Sequence, residues 1–339
     1  MRTAAMGLAF VAVAFGPFAA RADERSVADF YAKGTVTIAV GFSAGGNYDL
    51  YARLLARHIG SHIPGKPNVI VQNMPGAGSR VLANTLFTVG PQDGTMIGLP
   101  NQAIATDQAT GVAGAQFDAR KFRWLGSPDN DVQVAWTWHT SKAKTFEAAT
   151  TNEVVLGTSG PGSVTYFYPK VMNALLGTKF RLVSGYPGAT EMSVAAERGE
   201  IDGMGAEAWS AVKATEDWVA AGKINVLVQF GLGKSPDLQN VPFLPDLARN
   251  ATDRQVLEFV SLTPAMGRPF FMPPKTPDDR YAALRKAFDE TMKDPAFLED
   301  AKRSQLEISA VSGDDLQRAV DKALGTPQSV LDIFKRIVE

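Results

Sequence analysis

Four short segments rich in glycine and hydroxyl residues have the composition of an anion-binding site. The first, at 41–49, reads Gly-Phe-Ser-Ala-Gly-Gly-Asn-Tyr-Asp and lies between an apolar β-branched run at 35–40 and a segment at 50–59 with helical spacing. Glycines let the backbone N–H groups turn outward, and the N-terminus of the following helix adds partial positive charge. The simpler interpretation is a tight turn in which Asn47 or Asp49 caps the helix.

The same pattern of strand, glycine-rich loop and helix recurs along the chain. Further loops lie at 73–79, 157–163 and 184–188, each after an apolar β-branched run. The recurrence predicts that backbone donors from two domains surround one small polar ligand. The candidate ligand-binding residues are Phe42, Ser43, Gly45, Gly46, Asn47, Asp49, Gly76, Ala77, Gly78, Ser79, Asn101, Ser159, Gly160, Gly162, Ser163, Tyr166, Tyr186 and Asp202. At Gly46 the backbone is expected to need an unrestricted φ angle and a close approach, both of which a Cβ would prevent. Asp202 is a weaker candidate than the others, because its simpler role is to cap a helix.

The motifs of bond-breaking enzymes are incomplete in this sequence. A nucleophile elbow around Ser159 has Pro161 where its second glycine is required, and a phosphate-binding P-loop needs Lys-Ser/Thr after its last glycine, where this chain has Ser163-Val164. His58 and His62 are four residues apart but lack the glutamate of an HExxH site, so solvent-facing histidines are favoured. The sequence thus predicts no catalytic residue, no metal site and no cofactor. A secreted serine esterase using Ser159 is kept as an alternative.

Composition and the N-terminus indicate an exported globular protein. The 339 residues are 45% hydrophobic and 20% charged, and the length favours two domains. Arg2, the uncharged stretch at 4–20 and Ala20-Arg-Ala22 predict a signal peptide over 1–22. The remaining chain carries 32 basic against 35 acidic residues, which argues against a nucleic-acid surface. There is no cysteine, so stability must come from a packed core.

The elements that must position these loops alternate between strand and helix as far as residue 230. This alternation predicts an α/β protein whose ligand lies at the carboxyl ends of the strands. The last third is predicted to be helical, with capping boxes at 276–279 and 312–315. An apolar stripe of Tyr281, Leu284 and Phe288 is expected to face the core.

Several of these segments together resemble a known family, the Bug-type receptors of tripartite tricarboxylate transporters. The matching motifs, in the family's order, are Gly45-Gly-x-x-Asp49, Asn73-x-Pro-Gly-Ala-Gly78, Gly160-Pro-Gly-Ser163, Tyr186-Pro-Gly188 and Gly199-Glu-Ile-Asp202. The chain departs from the family pattern at Ala44, Met74 and Tyr166, where proline, arginine and histidine are usual. These departures affect the identity of the ligand more than the fold.

The resemblance implies a two-domain periplasmic-binding-protein fold, a type II-like Venus flytrap with mixed sheets flanked by helices and two hinge crossovers. Domain 1 would comprise 23–127 and 231–339, and domain 2 would comprise 128–230. Gly126, Gly231 and Gly233 are the expected hinge glycines. The implied protein is a periplasmic monomer that captures a small carboxylate and delivers it to a membrane permease of large and small subunits. A ligand-sensing module for a signalling partner is the alternative within the binding class.

The residue types in the loops also predict what the cleft selects. Phe42, Tyr48, Tyr166, Tyr186 and Trp209 lie in or near the loops, whereas basic side chains are nearly absent from them. A ligand with several charges would need basic partners, because a desolvated and unpaired charge costs several kcal/mol. We therefore expect a monocarboxylate or slender dicarboxylate, either aliphatic or aromatic, in preference to citrate.

Overall fold

The computed structural model describes residues 26–130, 132–160, 163–186, 188–215, 218–231 and 233–339. The predicted signal peptide at 1–22 and the candidate Gly162 lie outside these ranges. A short helical segment at 26–31 precedes the first strand.

The first sheet has six strands in the order β11-β4-β10-β3-β1-β2. Strand β1 pairs in parallel with β2 and β3, whereas β10 pairs antiparallel with both β3 and β4. The strands are β1 (Thr35–Val40), β2 (Asn68–Asn73), β3 (Met96–Leu99), β4 (Arg123–Ser127), β10 (Phe270–Met272) and β11 (Val311–Ser312).

The second sheet has five strands in the order β7-β6-β8-β5-β9. Strand β6 pairs in parallel with β7 and β8, and β5 pairs antiparallel with β8 and β9. The strands are β5 (Gln133–Trp138), β6 (Val154–Thr158), β7 (Phe180–Ser184), β8 (Gly203–Ala208) and β9 (Ile224–Phe230).

Both sheets have the same arrangement. In each, three parallel strands lie side by side, and the next strand in the sheet is antiparallel to them and follows a crossover from the other sheet. This strand is β10 in the first sheet and β5 in the second. The chain changes sheet between β4 and β5 and again between β9 and β10. The predicted mixed sheets and two crossovers are confirmed. Helices cover the sheets because the inner parallel strands β1, β3 and β6 are largely apolar and buried on both faces.

Twelve further helices connect and cover the strands. Those that follow β1, β6, β7 and β8 are α1 (Asn47–Ile59), α5 (Val164–Leu176), α6 (Ala189–Glu197) and α7 (Trp209–Ala214). The others are α2 (Arg80–Thr88), α3 (Ile104–Ala109), α4 (Phe146–Thr151), α8 (Ala251–Ala265), α9 (Asp278–Thr291), α10 (Pro295–Arg303), α11 (Gly313–Leu324) and α12 (Gln328–Val338). Single turns of 3₁₀ helix lie at Ala77–Ser79, Ala119–Lys121, Pro236–Leu238 and Leu244–Leu247.

The chain after β9 stays with the second sheet for longer than the sequence suggests. The Gln229 N–H donates to the Pro242 carbonyl at 2.9 Å, and Gln229 forms a parallel bridge with Phe243. Farther on, the Tyr168 hydroxyl of α5 donates to the Val260 carbonyl of α8 at 2.7 Å. Residues around 242–243 therefore pack on the second sheet, although the sequence assigns everything after 231 to the first domain.

Gly126 is not placed where a hinge could use it. It lies inside β4 with φ +151°, and a Cβ there would meet the Phe288 ring at 2.4 Å. Its lack of a side chain therefore serves core packing rather than domain motion. The first crossover itself lies between Ser127 and Gln133, after the end of β4.

Of the two capping boxes predicted for the helical last third, the structure confirms one and contradicts the other. Ser312 caps α11 as expected, since its hydroxyl accepts from the Asp315 N–H at 3.2 Å. The predicted box at 276–279 is wrong. Pro277 takes the N-cap position of α9, and the Thr276 hydroxyl donates to the Pro273 carbonyl at 2.8 Å instead. The apolar stripe is placed as predicted, with Leu284 and Phe288 buried in the core.

Candidate functional site

The loop after β1 is held in shape by Asp49. Its carboxylate accepts from the Gly45 N–H at 2.9 Å, from Asn73 Nδ2 at 2.9 Å and from Arg53 Nε at 2.8 Å. Burial raises the pKa of Asp49, but the hydrogen bonds from Arg53, Gly45 and Asn73 outweigh it and leave the pKa below its usual value. Asp49 is 1% exposed, and both oxygens of its carboxylate accept hydrogen bonds. It therefore joins the first two loops, and the structure corrects its predicted role as a ligand contact.

Ser79 makes the second connection between loops. Its hydroxyl accepts from the Asn101 N–H at 2.6 Å, and a Cβ at Gly41 would lie 2.2 Å from the Ser79 Cβ. The close approach of these two backbones requires the glycine. Ser79 is buried, so it also organises the site instead of facing it. The neighbouring candidates Gly76, Ala77 and Gly78 lie in this turn, all with positive φ.

In the loop after β6, two hydroxyls accept from backbone donors that were expected to meet the ligand, and a third donates to a backbone carbonyl. The Ser159 N–H donates to Thr165 Oγ1 at 3.2 Å, and the Gly160 N–H donates to Thr158 Oγ1 at 3.1 Å. Ser163 Oγ lies 2.9 Å from Thr165 Oγ1 and donates to the Gly160 carbonyl at 2.8 Å. The loop is preformed by its own side chains, and Ser159 itself stays exposed.

The helices that begin at the carboxyl ends of the parallel strands lack side-chain caps. Within the described residues, no side chain bonds to the first turn of α1 after Gly46, of α5 after Ser163, or of α6 after Gly188. Of the helices that begin elsewhere, four are capped by Thr145, Asn250, Asp294 and Ser312, whereas α9 and α12 begin after prolines without a side-chain cap. An uncapped helix N-terminus leaves N–H donors available to water or to a ligand.

A cavity of about 870 Å³ lies between the two sheets and brings two of these helix N-termini together. Asn47 and Tyr51 of α1 line one wall, and Ala189 and Thr190 at the start of α6 line another. Among the predicted site residues, Asn47 lies on this wall, and Ser43, Gly45 and Gly46 lie in the loop just before it. Gly46 does not need the freedom expected of it, since its φ is −81° and a Cβ would have 3.8 Å to the nearest atom.

Sequence reasoning missed the polar residues of the second domain's wall, which include Thr190, Ser193, Glu207 and Ser210. Ser193 lies one helical turn beyond a recognised loop, and Glu207 ends a strand. A search of strand ends on the carboxyl side of the sheet would have found Glu207.

Glu207 is the acidic side chain that β8 presents to this cavity. Trp136 Nε1 donates to Glu207 Oε2 at 2.6 Å. Burial raises the pKa of Glu207 to about 7, and the hydrogen bond from Trp136 only partly opposes that shift. A carboxyl group with a pKa of about 7 is protonated in about half of the molecules at pH 7.

A basic side chain also lies at this wall, contrary to the prediction from the loops. Lys213 Nζ donates to Asp237 Oδ2 at 2.8 Å and lies 3.5 Å from Glu307 Oε1 of the opposite wall. Burial opposes the charge on Lys213, but Asp237 and Glu307 outweigh it and raise its pKa. Because both carboxylates already partner this ammonium, it is not a free cation for a highly charged ligand.

The aromatic residues of the loops mostly pack against protein. Phe42 stacks on Tyr48 with ring centroids 4.3 Å apart, and the Tyr48 hydroxyl accepts from the Gln102 N–H at 3.1 Å. Lys170 lies over the ring of Tyr166, 5.0 Å from its centroid. Trp209 is buried and Tyr186 packs on the same cluster. The aromatic side chain that lines the 870 Å³ cavity is Tyr51, which the sequence did not single out.

Asp202 is removed from the candidate site by its position. It precedes β8, at the edge of the sheet opposite to the loops, where its carboxylate accepts from the Val155 N–H at 2.8 Å. The sequence placed Asp202 in a short strand. The direction of that strand decides at which edge of the second sheet Asp202 lies.

The histidines lie away from Ser159 and do not face solvent freely. His58 Nε2 lies 2.9 Å from Asp300 Oδ2, and His62 Nε2 lies 2.9 Å from Asp294 Oδ2, both between α1 and α10. His139 follows β5 at the edge of the second sheet opposite to its loops. A serine esterase centred on Ser159 therefore has no histidine base. Within the described ranges, no group of acidic or histidine side chains could hold a metal ion.

None of the helices in the described part of the chain has both the length and the apolar character needed to cross a membrane.

Comparison with known proteins identifies the fold. No protein-family model and no curated protein matches the sequence. The chain is similar to a TctC solute-binding protein from Polaromonas solved without ligand, with a TM-score of 0.67 and 18% identity over 91% of this chain and 99% of that one. It is similar to an R. palustris protein with adipate, with a TM-score of 0.62 and 18% identity over 89% and 97%.

A third similar structure is MatC from Rhodopseudomonas palustris with bound malate, with a TM-score of 0.60 and 19% identity over 90% of this chain and 99% of that one. At these identities the likeness establishes the fold, which is the two-domain periplasmic-binding-protein fold expected from the sequence.

Proposed function

We propose that this protein is a periplasmic receptor of the tripartite tricarboxylate type, which captures a small carboxylate between its two sheets and delivers it to a membrane permease of large and small subunits. The observation that carries the proposal is the cavity of about 870 Å³ with the uncapped starts of α1 and α6 on its two walls. This volume is within the range of small-molecule sites.

The two helix N-termini explain how such a site would hold an anion. Each offers backbone N–H donors and the positive end of a helix dipole, which attracts a carboxylate without a basic side chain. Because one N-terminus comes from each domain, an anion held by both would connect the two sheets. The adipate and malate in the similar solved structures are ligands of this chemical kind.

The charges at the wall favour a ligand with one or two carboxylates. Lys213 is already paired with Asp237 and Glu307, and Glu207 adds a carboxyl group of its own. A third ligand carboxylate would have no cation and would lose its hydration without compensation. The aromatic option has less support, since Tyr51 alone represents the aromatic side chains among the lining residues.

Thermal denaturation of the mature protein with succinate, adipate, malate, benzoate and citrate tests the proposal. A ligand that binds only the folded state raises the melting temperature. We expect a rise with at least one of the first four and a smaller rise with citrate. The absence of any rise, or the largest rise with citrate, would contradict the proposal.

Two variants then locate the site by calorimetry. Gly46→Val fits the backbone, because φ is −81° and the nearest atom to a Cβ is 3.8 Å away, but its side chain would cover the start of α1. We expect it to weaken binding at least tenfold with little change in melting temperature. Thr190→Val should weaken binding, whereas Thr151→Val at an exposed position of α4 should not. Equal affinities in all three variants would place the ligand elsewhere.

A further inference from the structure

We propose that Glu207 meets the bound carboxylate as a neutral acid and donates its proton to it in a hydrogen bond, so that this protein binds carboxylates together with a proton. The inference rests on the proposed function and specifies how one wall of the cavity recognises the ligand. Glu207 therefore contributes to ligand specificity, which the backbone donors of the glycine-rich loops do not determine by themselves.

The geometry leaves one oxygen of Glu207 for a ligand. Oε2 accepts from Trp136 Nε1 at 2.6 Å, which fixes the carboxyl group at the end of β8. Glu207 lines the same cavity as the starts of α1 and α6. An anion drawn to those helix N-termini would lie in the same cavity as this carboxyl group. Two ionised carboxylates in contact repel each other, whereas one proton shared between them makes a strong hydrogen bond.

The other charged groups around the cavity do not neutralise Glu207. Tyr51 donates its hydroxyl to the Glu307 carbonyl, and Lys213 is paired with Asp237 and Glu307. From α6 the wall residues are Thr190 and Ser193, which carry no charge.

Among the residues that the structure describes, the elements behind β8 add no cation to Glu207 either. From β5 the contact is the Trp136 indole, and α5 packs on β8 through Pro169 beside Gly205. Lys170 of α5 is directed to the Val338 carbonyl. Desolvation is accordingly the main cause of the raised pKa of Glu207, and a bound anion would raise it further.

The proton balance of binding follows from this arrangement. Below the pKa of Glu207 the acid is already protonated and the anion binds without proton transfer. Above that pKa, solvent must supply one proton to Glu207 for each anion bound. The dissociation constant should therefore be constant below about pH 6 and rise about tenfold per pH unit above pH 8. Above pH 8 the added carboxylates are fully ionised, so their own titration does not produce this slope.

The experiment measures the affinity of the wild type and of Glu207→Gln between pH 5.5 and 9, using whichever of succinate, adipate, malate and benzoate gives the largest thermal shift. Glutamine keeps the acceptor for Trp136 and offers a permanent N–H donor. We expect Glu207→Gln to bind within about threefold of the wild type at pH 6 and to lose the roughly hundredfold weakening at pH 9. Glu200→Gln, an exposed carboxyl group beyond the C-terminal end of α6, should keep the wild-type slope.

A second readout does not depend on a variant that folds. Calorimetry of the wild type at pH 8.5 in phosphate and in Tris should show uptake of about one proton per carboxylate bound, from the difference in buffer ionisation heats. Binding with a flat pH profile and no proton uptake would overturn the role of Glu207 and leave the proposed function intact. A pH slope that survives in Glu207→Gln would also overturn it. If none of the carboxylates binds at pH 6, the proposed function itself fails.

Discussion

Asp49 and Glu207 are two acidic residues on the same side of the sheets with opposite electrostatics. Asp49 is buried among three donors, one of them the Arg53 guanidinium, and stays ionised. Glu207 has a single neutral donor, and burial dominates its pKa. The number of donors therefore decides which of the two carboxyl groups holds a loop and which can carry a proton in the cleft.

Replacement of Asp49 should damage both stability and binding. Asp49→Ala leaves the Gly45 N–H and the Asn73 amide without their shared acceptor, and we expect a loss of about 3 kcal/mol in unfolding free energy. Urea denaturation measures the loss. Arg53→Ala is the matched control, because that side chain is 46% exposed and should cost at most about 1 kcal/mol. Equal losses in the two variants would show that Asp49 acts only through its ion pair.

The raised pKa of Glu207 also predicts how stability depends on pH. The folded pKa of about 7 exceeds the unfolded value of 4.5, so the stability contributed by the neutral acid is complete below pH 4.5 and is lost as pH rises through 7. Glu207→Gln removes this loss. We expect the variant to gain up to about 3 kcal/mol relative to the wild type between pH 4 and pH 8. Chemical denaturation at both pH values measures it, and a difference independent of pH would contradict the shift.

At the scale of elements, the cleft helices differ from most of the outer ones in how their first turns are satisfied. The outer helices α4, α8, α10 and α11 begin at capping side chains and α9 and α12 begin after prolines, whereas α1, α5 and α6 begin with neither a capping side chain nor a proline. A missing cap costs a helix about 1 kcal/mol. Three uncapped starts at one edge of two sheets are consistent with donors kept for an anion.

The contact between α1 and α10 gives a prediction for this scale. Asp300 of α10 bonds His58 and Arg57 of α1 at 2.9 Å each, and with Arg303 these partners lower its pKa to about 2. The stabilisation is present above the unfolded pKa and is lost as pH falls from about 4 towards 2. Asp300→Asn should cost about 1 kcal/mol at pH 7 and only a small fraction of that at pH 2.

Glu299→Gln is the control for that measurement, because Glu299 pairs only with Arg303 within α10 and is largely exposed. Thermal denaturation of both variants should show a loss for Asp300→Asn alone. A similar change in the two would mean that Asp300 contributes no more than a surface charge.

At the scale of the whole molecule, a buried ion pair joins the two crossovers. The Arg268 guanidinium bonds the Asp129 carboxylate, and the Arg268 N–H donates to Ser127 Oγ at 2.8 Å. Next to them Gly267 has φ +56°, and a Cβ there would lie 2.0 Å from the Asp129 carbonyl oxygen. These contacts hold the two crossovers together at one point. Such a point is a more suitable pivot for domain motion than the separate flexible glycines expected from the sequence.

Loss of this pair should be costly. Arg268→Met leaves Asp129 buried without its cation, and we expect a loss of about 3–5 kcal/mol in unfolding free energy. Arg254→Met, which removes an arginine that is 51% exposed, should change stability by less than about 1 kcal/mol. Denaturant midpoints compare the two. A small loss for Arg268→Met would show that the crossovers do not depend on the pair.

Ligand binding should also change the shape of the molecule. An anion held by both α1 and α6 favours a smaller distance between the sheets, as in hinge closure around a ligand. Small-angle scattering with and without a saturating carboxylate should show a decrease in the radius of gyration. A constant radius in the presence of a ligand confirmed by calorimetry would mean that binding does not close the cleft.

Sequence patterns predicted the local units of this fold well. The strand, loop and helix around 35–59 is placed as expected, because apolar periodicity and glycine position act within a few residues. The same reasoning failed for Thr276, where Pro277 took the cap position, and for Asp202, where the direction of β8 decided its location. Both errors concern a local choice that neighbouring structure overrides.

The sequence by itself determined that strands alternate with glycine-rich loops and helices, and that no familiar catalytic motif is complete. Only the tertiary structure decided which groups meet. Asn73 reaches Asp49 across 24 residues and Trp136 reaches Glu207 across 71, and no local pattern specifies either contact. The physical reason is that donors, burial and charge at a site depend on neighbours in space. Those neighbours make Asp49 a support and Glu207 an acid that faces the cleft.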